Sequence, residues 1–166
     1  MITKTGTLLV KVAGERSPWY VPPKEFPTVE EALQHYADSL RSGKFDDFII
    51  GPVQPEVFAE LRRHRGNTYQ DPRYTIPKSK QSHIMTRRGA YTEPQIRHVI
   101  DLLRNLVTNP ETRVELSMHT GKPHDMLVAP YKDGKSSFAF ITDVAQRLGI
   151  HTVYDPDSDD VPKKLK

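Results

Sequence analysis

Basic side chains are concentrated in one short part of this sequence of 166 residues. Between residues 62 and 91 there are eight arginines and lysines but one carboxylate, a net charge of +7. The whole chain carries +3, so the remainder carries −4. Six of the eight cations are arginine, whose planar guanidinium makes paired contacts to phosphate or guanine. The cations are Arg62, Arg63, Arg65, Arg73, Lys78, Lys80, Arg87 and Arg88.

Aromatic side chains lie among these cations. Tyr69 and Tyr74 occur within the basic stretch and Tyr91 ends it. Cations release counterions from phosphates, and aromatic rings offer faces on which bases stack. The sequence therefore predicts a nucleic-acid-binding module whose site residues are the eight cations with Tyr69 and Tyr74. Two alternatives remain open, a protein-interaction or inhibitor module that docks an acidic partner surface, and a phosphate-handling enzyme.

The enzyme alternative depends on residues 129–136, which read Ala-Pro-Tyr-Lys-Asp-Gly-Lys-Ser. This segment resembles a degenerate P-loop, with Ala129 in place of the first glycine. In that motif backbone amides and Lys135 hold phosphate oxygens, and Ser136 binds Mg²⁺. Pro130 removes one donor amide from such a cradle. The competing interpretation is a simple turn followed by a helix N-cap. No catalytic residue is assigned.

Histidines offer a second candidate centre. His119 and His124 flank a predicted turn beside Asp125, and His151 lies on the last predicted strand. If one end of the sheet brought them together, they would form a metal or acid–base site. Because the His-x4-His spacing matches no metal signature, we predict no metal and no cofactor.

Composition excludes several classes of protein. The chain has no cysteine, which excludes disulfide frameworks, cysteine nucleophiles and Cys-type zinc sites. The longest apolar run is about four residues, Met126–Ala129, whereas a membrane span needs about 20. The first residues lack the charged-then-apolar order of a signal peptide. We therefore expect a small soluble cytoplasmic protein without membrane association, and its oligomeric state is left open.

Helix signals occur in four places. Capping boxes at Thr28 and Thr92 precede apolar residues at helical spacing, which predicts a long helix after each. Pro55 opens a third predicted helix. Apolar residues at helical spacing over 137–148 predict a fourth.

The remaining segments are predicted to be short strands and loops. Residues 66–90 show no sustained period, so we expect a long basic central loop there. The order of elements predicts an α+β (or α/β) fold, a small mixed sheet with about four helices packed on it. We expect one domain over 1–154, with possible lobes 1–65 and 92–154 joined by the loop 66–91, and a mobile charged tail at 155–166. The predicted strands are 7–12, 45–50, 114–118, 126–129 and 150–154.

Overall fold

A computed structural model describes residues 21–85, 90–119 and 121–154. In these ranges the chain forms one mixed sheet of six strands with three α-helices and one 3₁₀ helix. The elements, in chain order, are α1 (Val29–Ser42), β1 (Phe48–Pro52), α2 (Pro55–Arg65), β2 (Asp71–Ile76), the 3₁₀ helix η1 (Lys78–His83), α3 (Glu93–Thr108), β3 (Arg113–His119), β4 (Lys122–Pro130), β5 (Ser136–Val144) and β6 (Arg147–Tyr154).

The strands lie side by side in the order β1-β2-β6-β5-β4-β3. β2 and β6 run parallel, and every other neighbouring pair is antiparallel. Strands from both sides of the 66–91 segment thus belong to the same sheet. None of the helices in the described ranges is long and apolar enough to cross a membrane.

The first and third helices begin where the capping residues predict. The Thr28 hydroxyl accepts the backbone N–H of Glu31 at 3.1 Å, and α1 ends at Gly43, whose φ of 74° is the left-handed conformation that glycine adopts without strain. Thr92 and Gln95 cap α3 reciprocally, each side chain bonding the backbone of the other. Both predicted helices are therefore confirmed.

The central strands are apolar on both faces. Leu127, Ala139 and Ile150 lie in the main core with the buried residues of the helices. Alternate residues of the same strands point to the opposite face, because successive strand side chains alternate. They form a second buried cluster, which consists of Met126, Val128, Phe138, Phe140 and Tyr154.

The predicted fourth helix is wrong. Residues 137–148 form most of β5, a tight turn and the start of β6. The strand is buried on both faces, so its run of apolar residues matches a helix as well as a strand. The turn residues Ala145 and Gln146 adopt left-handed φ values of 52° and 67°. Neither is glycine or asparagine, so the usual hairpin signal is missing from the sequence.

The predicted long basic loop is also not what the structure contains. The segment 66–90 includes β2 and η1 in its described part. Tyr74, Thr75 and Ile76 are buried between neighbouring strands, whereas the polar start of β2 has an irregular register. Only three residues of β2 are buried, too few to produce a visible period in the sequence. The predicted strand at 7–12 and the tail at 155–166 lie outside the described residues.

The unusual turn between β5 and β6 provides a test of this hairpin. Replacing Ala145 with Asn and Gln146 with Gly removes the left-handed strain, and we expect the free energy of unfolding to rise by about 1 kcal/mol. Urea denaturation measures the change. Gly134→Ala is the opposite control. Gly134 has a φ of 72° with open space around it, so an alanine there is strained by its backbone conformation alone and the variant should be less stable than wild type. An unchanged or lower stability of the double variant would contradict the turn conformation.

Candidate functional site

Most of the predicted arginines that the structure describes are held by carboxylates. An arginine paired in this way is partly neutralised and contributes less to attracting phosphate. For Arg73, hydrogen bonds from its guanidinium to Asp71 raise its pKa above the ordinary value. The ion pairs are Arg63 with Glu60, Arg65 with Asp125, and Arg73 with both Asp71 and Glu25.

The charged side chains of three predicted cations have no carboxylate partner in the described ranges, although the Lys78 backbone N–H donates to Asp47 at 2.7 Å. The Arg62 guanidinium lies 5.4 Å from the centre of the Phe58 ring and donates to the Asn67 side chain at 3.1 Å. Lys78 and Lys80 lie on η1 with exposed side chains. The six residues of β2, roughly 20 Å of extended chain, separate these lysines from α2. Arg87 and Arg88 lie outside the described residues.

The two predicted stacking residues are buried. Tyr74 is fully buried, and its hydroxyl donates to Gln54 Oε1 at 2.6 Å. Tyr69 is nearly as buried, and desolvation followed by the nearby Asp125 carboxylate raises its pKa to about 12. Neither ring presents a face on which a base stacks. Both tyrosines belong to the main core instead.

Asp125 is the centre of a charged network that joins α2 to β4. The carboxylate is 2% exposed and lies 2.6 Å from Arg65 Nε and 2.9 Å from His64 Nδ1. The other ring nitrogen of His64 is 2.9 Å from Glu60. Because both ring nitrogens are engaged, neither is open to a substrate. We interpret this network as structural, and a separation of 60 residues between Arg65 and Asp125 explains why local sequence gave no sign of it.

Of the predicted histidines, His124 and His151 do not gather around Asp125, and the side chain of His119 lies outside what the structure describes. His124 and His151 lie on either side of Phe140, with ring centres 5.8 and 5.7 Å from its ring. His124 and Asp125 are adjacent in a strand, so their side chains point to opposite faces of the sheet. No group of three or more potential metal ligands occurs among the side chains that the structure describes.

The predicted P-loop segment forms the turn between the antiparallel strands β4 and β5. Tyr131 donates its backbone N–H to the Lys135 carbonyl at 2.8 Å, and Lys135 donates to the Lys132 carbonyl at 3.0 Å. Ser136 begins a strand. A P-loop holds phosphate at the start of a helix, and no helix follows here. The nucleotide-binding interpretation of Lys135 and Ser136 therefore loses the element on which it depends.

A groove lies along α1 and α3 and is closed at one side by the β4–β5 turn. We call it the α1–α3 groove; its volume is about 550 Å³. A smaller adjoining cavity of about 300 Å³ shares four of its lining residues. The groove is lined by apolar Ala37, Ile96 and Ile100, by the rings of His98 and Tyr131, and by the cations Arg41, Arg97, Arg104 and Lys132.

Two ion pairs cross this groove and join its helices. Arg41 Nε is 2.9 Å from Glu93, and Arg104 Nε is 2.7 Å from Glu30. Hydrogen bonds from these arginines lower the pKa of Glu93 and of Glu30 below their ordinary values. Both arginines are therefore already neutralised by a carboxylate at the rim.

The other two cations of the groove are less constrained. Arg97 is exposed, and its charge lies near enough to Glu93 to contribute to the lowered pKa of that carboxylate, but no hydrogen bond or ion pair holds it to the described residues. Lys132 is exposed, with its ammonium 3.9 Å from Asp101 and 5.2 Å from the centre of the Tyr131 ring. The groove cations come from three separate segments, so no local charge run marks them in the sequence. The fold assembles this site.

Comparisons of the chain with protein-family models, with curated proteins and with solved structures found no match. The assignment of a function therefore rests on the geometry of the molecule.

Breaking the Asp125 network tests its structural role. Arg65→Met leaves the buried carboxylate with His64 as its remaining ion-pair partner, and we expect a loss of about 2 kcal/mol in the free energy of unfolding. Water reaches the partly exposed Arg65, which places the effect below that of a fully buried pair. Adding Asp125→Asn should recover part of the loss. Arg63→Met, which breaks an exposed pair, is the control and should cost less than about 0.5 kcal/mol.

Buried tyrosines predict sensitivity to alkaline pH. Burial raises the pKa of Tyr36, Tyr69 and Tyr74 above the ordinary value of 10, for Tyr69 to about 12. Their contribution to stability is fully present below pH 10 and is lost as the pH rises towards and beyond 12. In an alkaline pH titration, circular dichroism follows unfolding and phenolate absorbance follows tyrosine ionisation. Part of the tyrosine ionisation should coincide with unfolding. Ionisation of every tyrosine near pH 10 in a native protein would contradict this burial.

Proposed function

We propose that the protein binds single-stranded nucleic acid, with one nucleotide in the α1–α3 groove and neighbouring phosphates on Lys78 and Lys80. The observation that carries the proposal is the position of Arg97 and Lys132 beside the rings of His98 and Tyr131 in this groove. This proposal keeps the function that the charge distribution predicts but moves its centre away from the buried Tyr69 and Tyr74.

The lining of the groove matches the two chemical parts of a nucleotide. A base needs aromatic contacts, which the half-buried rings of His98 and Tyr131 supply. Phosphate needs cations that are free to reorient, which favours Arg97, and Lys132 with its longer 3.9 Å contact to Asp101, over the arginines paired at the rim. A volume of about 550 Å³ is within the usual range for a small-ligand site.

The exposed lysines of η1 lie on an element that contacts α1, one of the two helices of the groove. The Tyr36 hydroxyl of α1 donates to the Gln81 carbonyl of η1 at 2.8 Å, so the two helices are in contact. The chain that leaves η1 leads directly to α3, and Arg87 and Arg88 occur in that connection.

Salt dependence gives the sharpest test. If Arg97, Lys132, Lys78 and Lys80 each neutralise one phosphate of a single strand, log K should fall with log salt with a slope near −3. Arg97→Ala with Lys132→Ala should reduce that slope by about 1.4 and weaken binding about tenfold. Titration of a labelled single-stranded oligonucleotide at about 50 and 200 mM salt measures both quantities.

Matched variants separate a specific surface from general charge. Arg63→Ala removes a cation that already pairs with Glu60, so affinity should stay within about twofold of wild type. Lys78→Ala with Lys80→Ala should reduce the slope by a similar 1.4 or so. Polyphosphate of equal charge should compete poorly if a base occupies the groove. Absence of binding at the lower salt concentration would overturn the proposal and leave an acidic protein surface as the better explanation of these cations.

A further inference from the structure

A carboxylate lies where the α1–α3 groove meets the smaller adjoining cavity. Asp101 of α3 lines both, and its side chain is 43% exposed. An ionised carboxylate accepts hydrogen bonds and donates none. Beside the cations that the proposed function assigns to phosphate, such a group repels the ligand unless the ligand offers it a donor. The chemistry of Asp101 therefore restricts which nucleic acid fits the site.

The two oxygens of Asp101 have different surroundings. Oδ2 accepts the Tyr131 hydroxyl at 2.6 Å, a bond that joins α3 to the β4–β5 turn. Oδ1 receives no hydrogen bond from the residues that the structure describes, and it lies 3.6 Å from Nη1 of Arg104. The Nε and Nη2 atoms of that guanidinium bond Glu30, which leaves Nη1 as the donor on the Asp101 side. An acceptor and a donor thus lie side by side at the boundary of the two cavities.

We propose that this pair recognises the ribose 2′-hydroxyl, so that the site prefers RNA to DNA. The inference rests on the proposed nucleic-acid function and names the class of nucleic acid. Within a strand, the phosphates and the deoxyribose ring only accept hydrogen bonds, whereas a 2′-hydroxyl both donates and accepts. It is therefore the backbone group that can meet a carboxylate. In the site it would donate to Asp101 Oδ1 and accept from Arg104 Nη1.

The lining of the smaller cavity suits a sugar better than a base. Tyr131 contributes an aromatic ring, and the other lining residues carry polar side chains. The volume of about 300 Å³ lies at the lower end of the range for ligand sites. A base against the rings of the groove and a ribose in this cavity would each meet groups of matching polarity. The polar lining residues are Asp101, Arg104, Asn105, Thr108 and Lys132.

Hydrogen bonds between α3 and the β4–β5 turn fix the position of these groups. The Asn105 side-chain amide donates to the Pro130 carbonyl at 2.8 Å and to the Ser137 hydroxyl at 3.2 Å. These two residues flank the turn that carries Tyr131, so the turn is held against the helix from both of its strands. Groups that are already in place lose little conformational freedom when a ligand binds.

Single-stranded oligonucleotides of one sequence test the sugar preference on the wild-type protein. RNA should bind about fivefold more tightly than DNA at equal salt, a modest factor because water also reaches Asp101. RNA with fluorine in place of each 2′-hydroxyl keeps the base but lacks the donor, so it should bind like DNA. Binding of RNA and DNA with equal affinity, or of the fluorinated strand as tightly as RNA, would overturn this inference and leave the proposed function standing. Absence of binding by every strand would overturn both.

Asp101→Asn tests the residue that reads the sugar. The amide keeps an oxygen for the Tyr131 hydroxyl but loses the charge that strengthens the bond from the ribose. The ratio of RNA to DNA affinity should fall below about twofold, whereas DNA affinity should not decrease, because a negative charge near the phosphates is removed. A purely structural role for Asp101 would instead weaken RNA and DNA binding alike.

Asp38→Asn is the matched control for a change of charge. Asp38 pairs with Arg41 and is not among the residues that line either cavity, so the ratio should stay at about fivefold. Circular dichroism of both variants checks that the fold is retained. An unchanged ratio in Asp101→Asn, or an equal fall in both variants, would contradict the assignment of this carboxylate.

Discussion

The double-sided burial of the central strands is the constraint on which the rest of this structure depends. Leu127 and Ala139 face the helices, whereas Met126 and Phe140, their immediate neighbours in the chain, face the opposite cluster. Strand side chains alternate, so a shift of one residue would exchange the two faces. The antiparallel register of β4, β5 and β6 therefore places α1 and α3 against one defined surface. The α1–α3 groove and its ion pairs follow from that placement.

Whether a cation of this protein is available to a ligand depends on its ion pairs more than on how many cations lie near it in the sequence. Arg65 and Arg73 belong to the most basic stretch of the chain, yet each is held by a carboxylate. Arg97 lies in a helix with no charge excess of its own and remains exposed over the groove. A buried carboxylate such as Asp125 requires a cation beside it, because an unpaired buried charge is costly. Part of the basic stretch is thus used for folding.

Local signals predicted the helices better than the strands. The caps at Thr28 and Thr92 bond groups three residues away, so the sequence contains the whole interaction. A strand such as β2 is stabilised by partners in β1 and β6 that are distant in the chain, and its short buried part shows no period. The helix predicted over 137–148 failed for a related reason. A continuous apolar run is compatible with either structure until the neighbouring strands are known.

The sequence by itself determined the capped helices α1 and α3, the mixed α+β class and the concentration of charge between residues 62 and 91. These features depend on residue type and on contacts within a few positions. Only the tertiary structure decided that Tyr69 and Tyr74 are core residues and that Arg65 forms an ion pair with Asp125. It also decided that separate segments of the chain line one groove. Burial and ion pairing depend on which distant residues meet. Residue spacing along one chain does not contain that information, because it is the packing of the sheet and helices that brings those residues together.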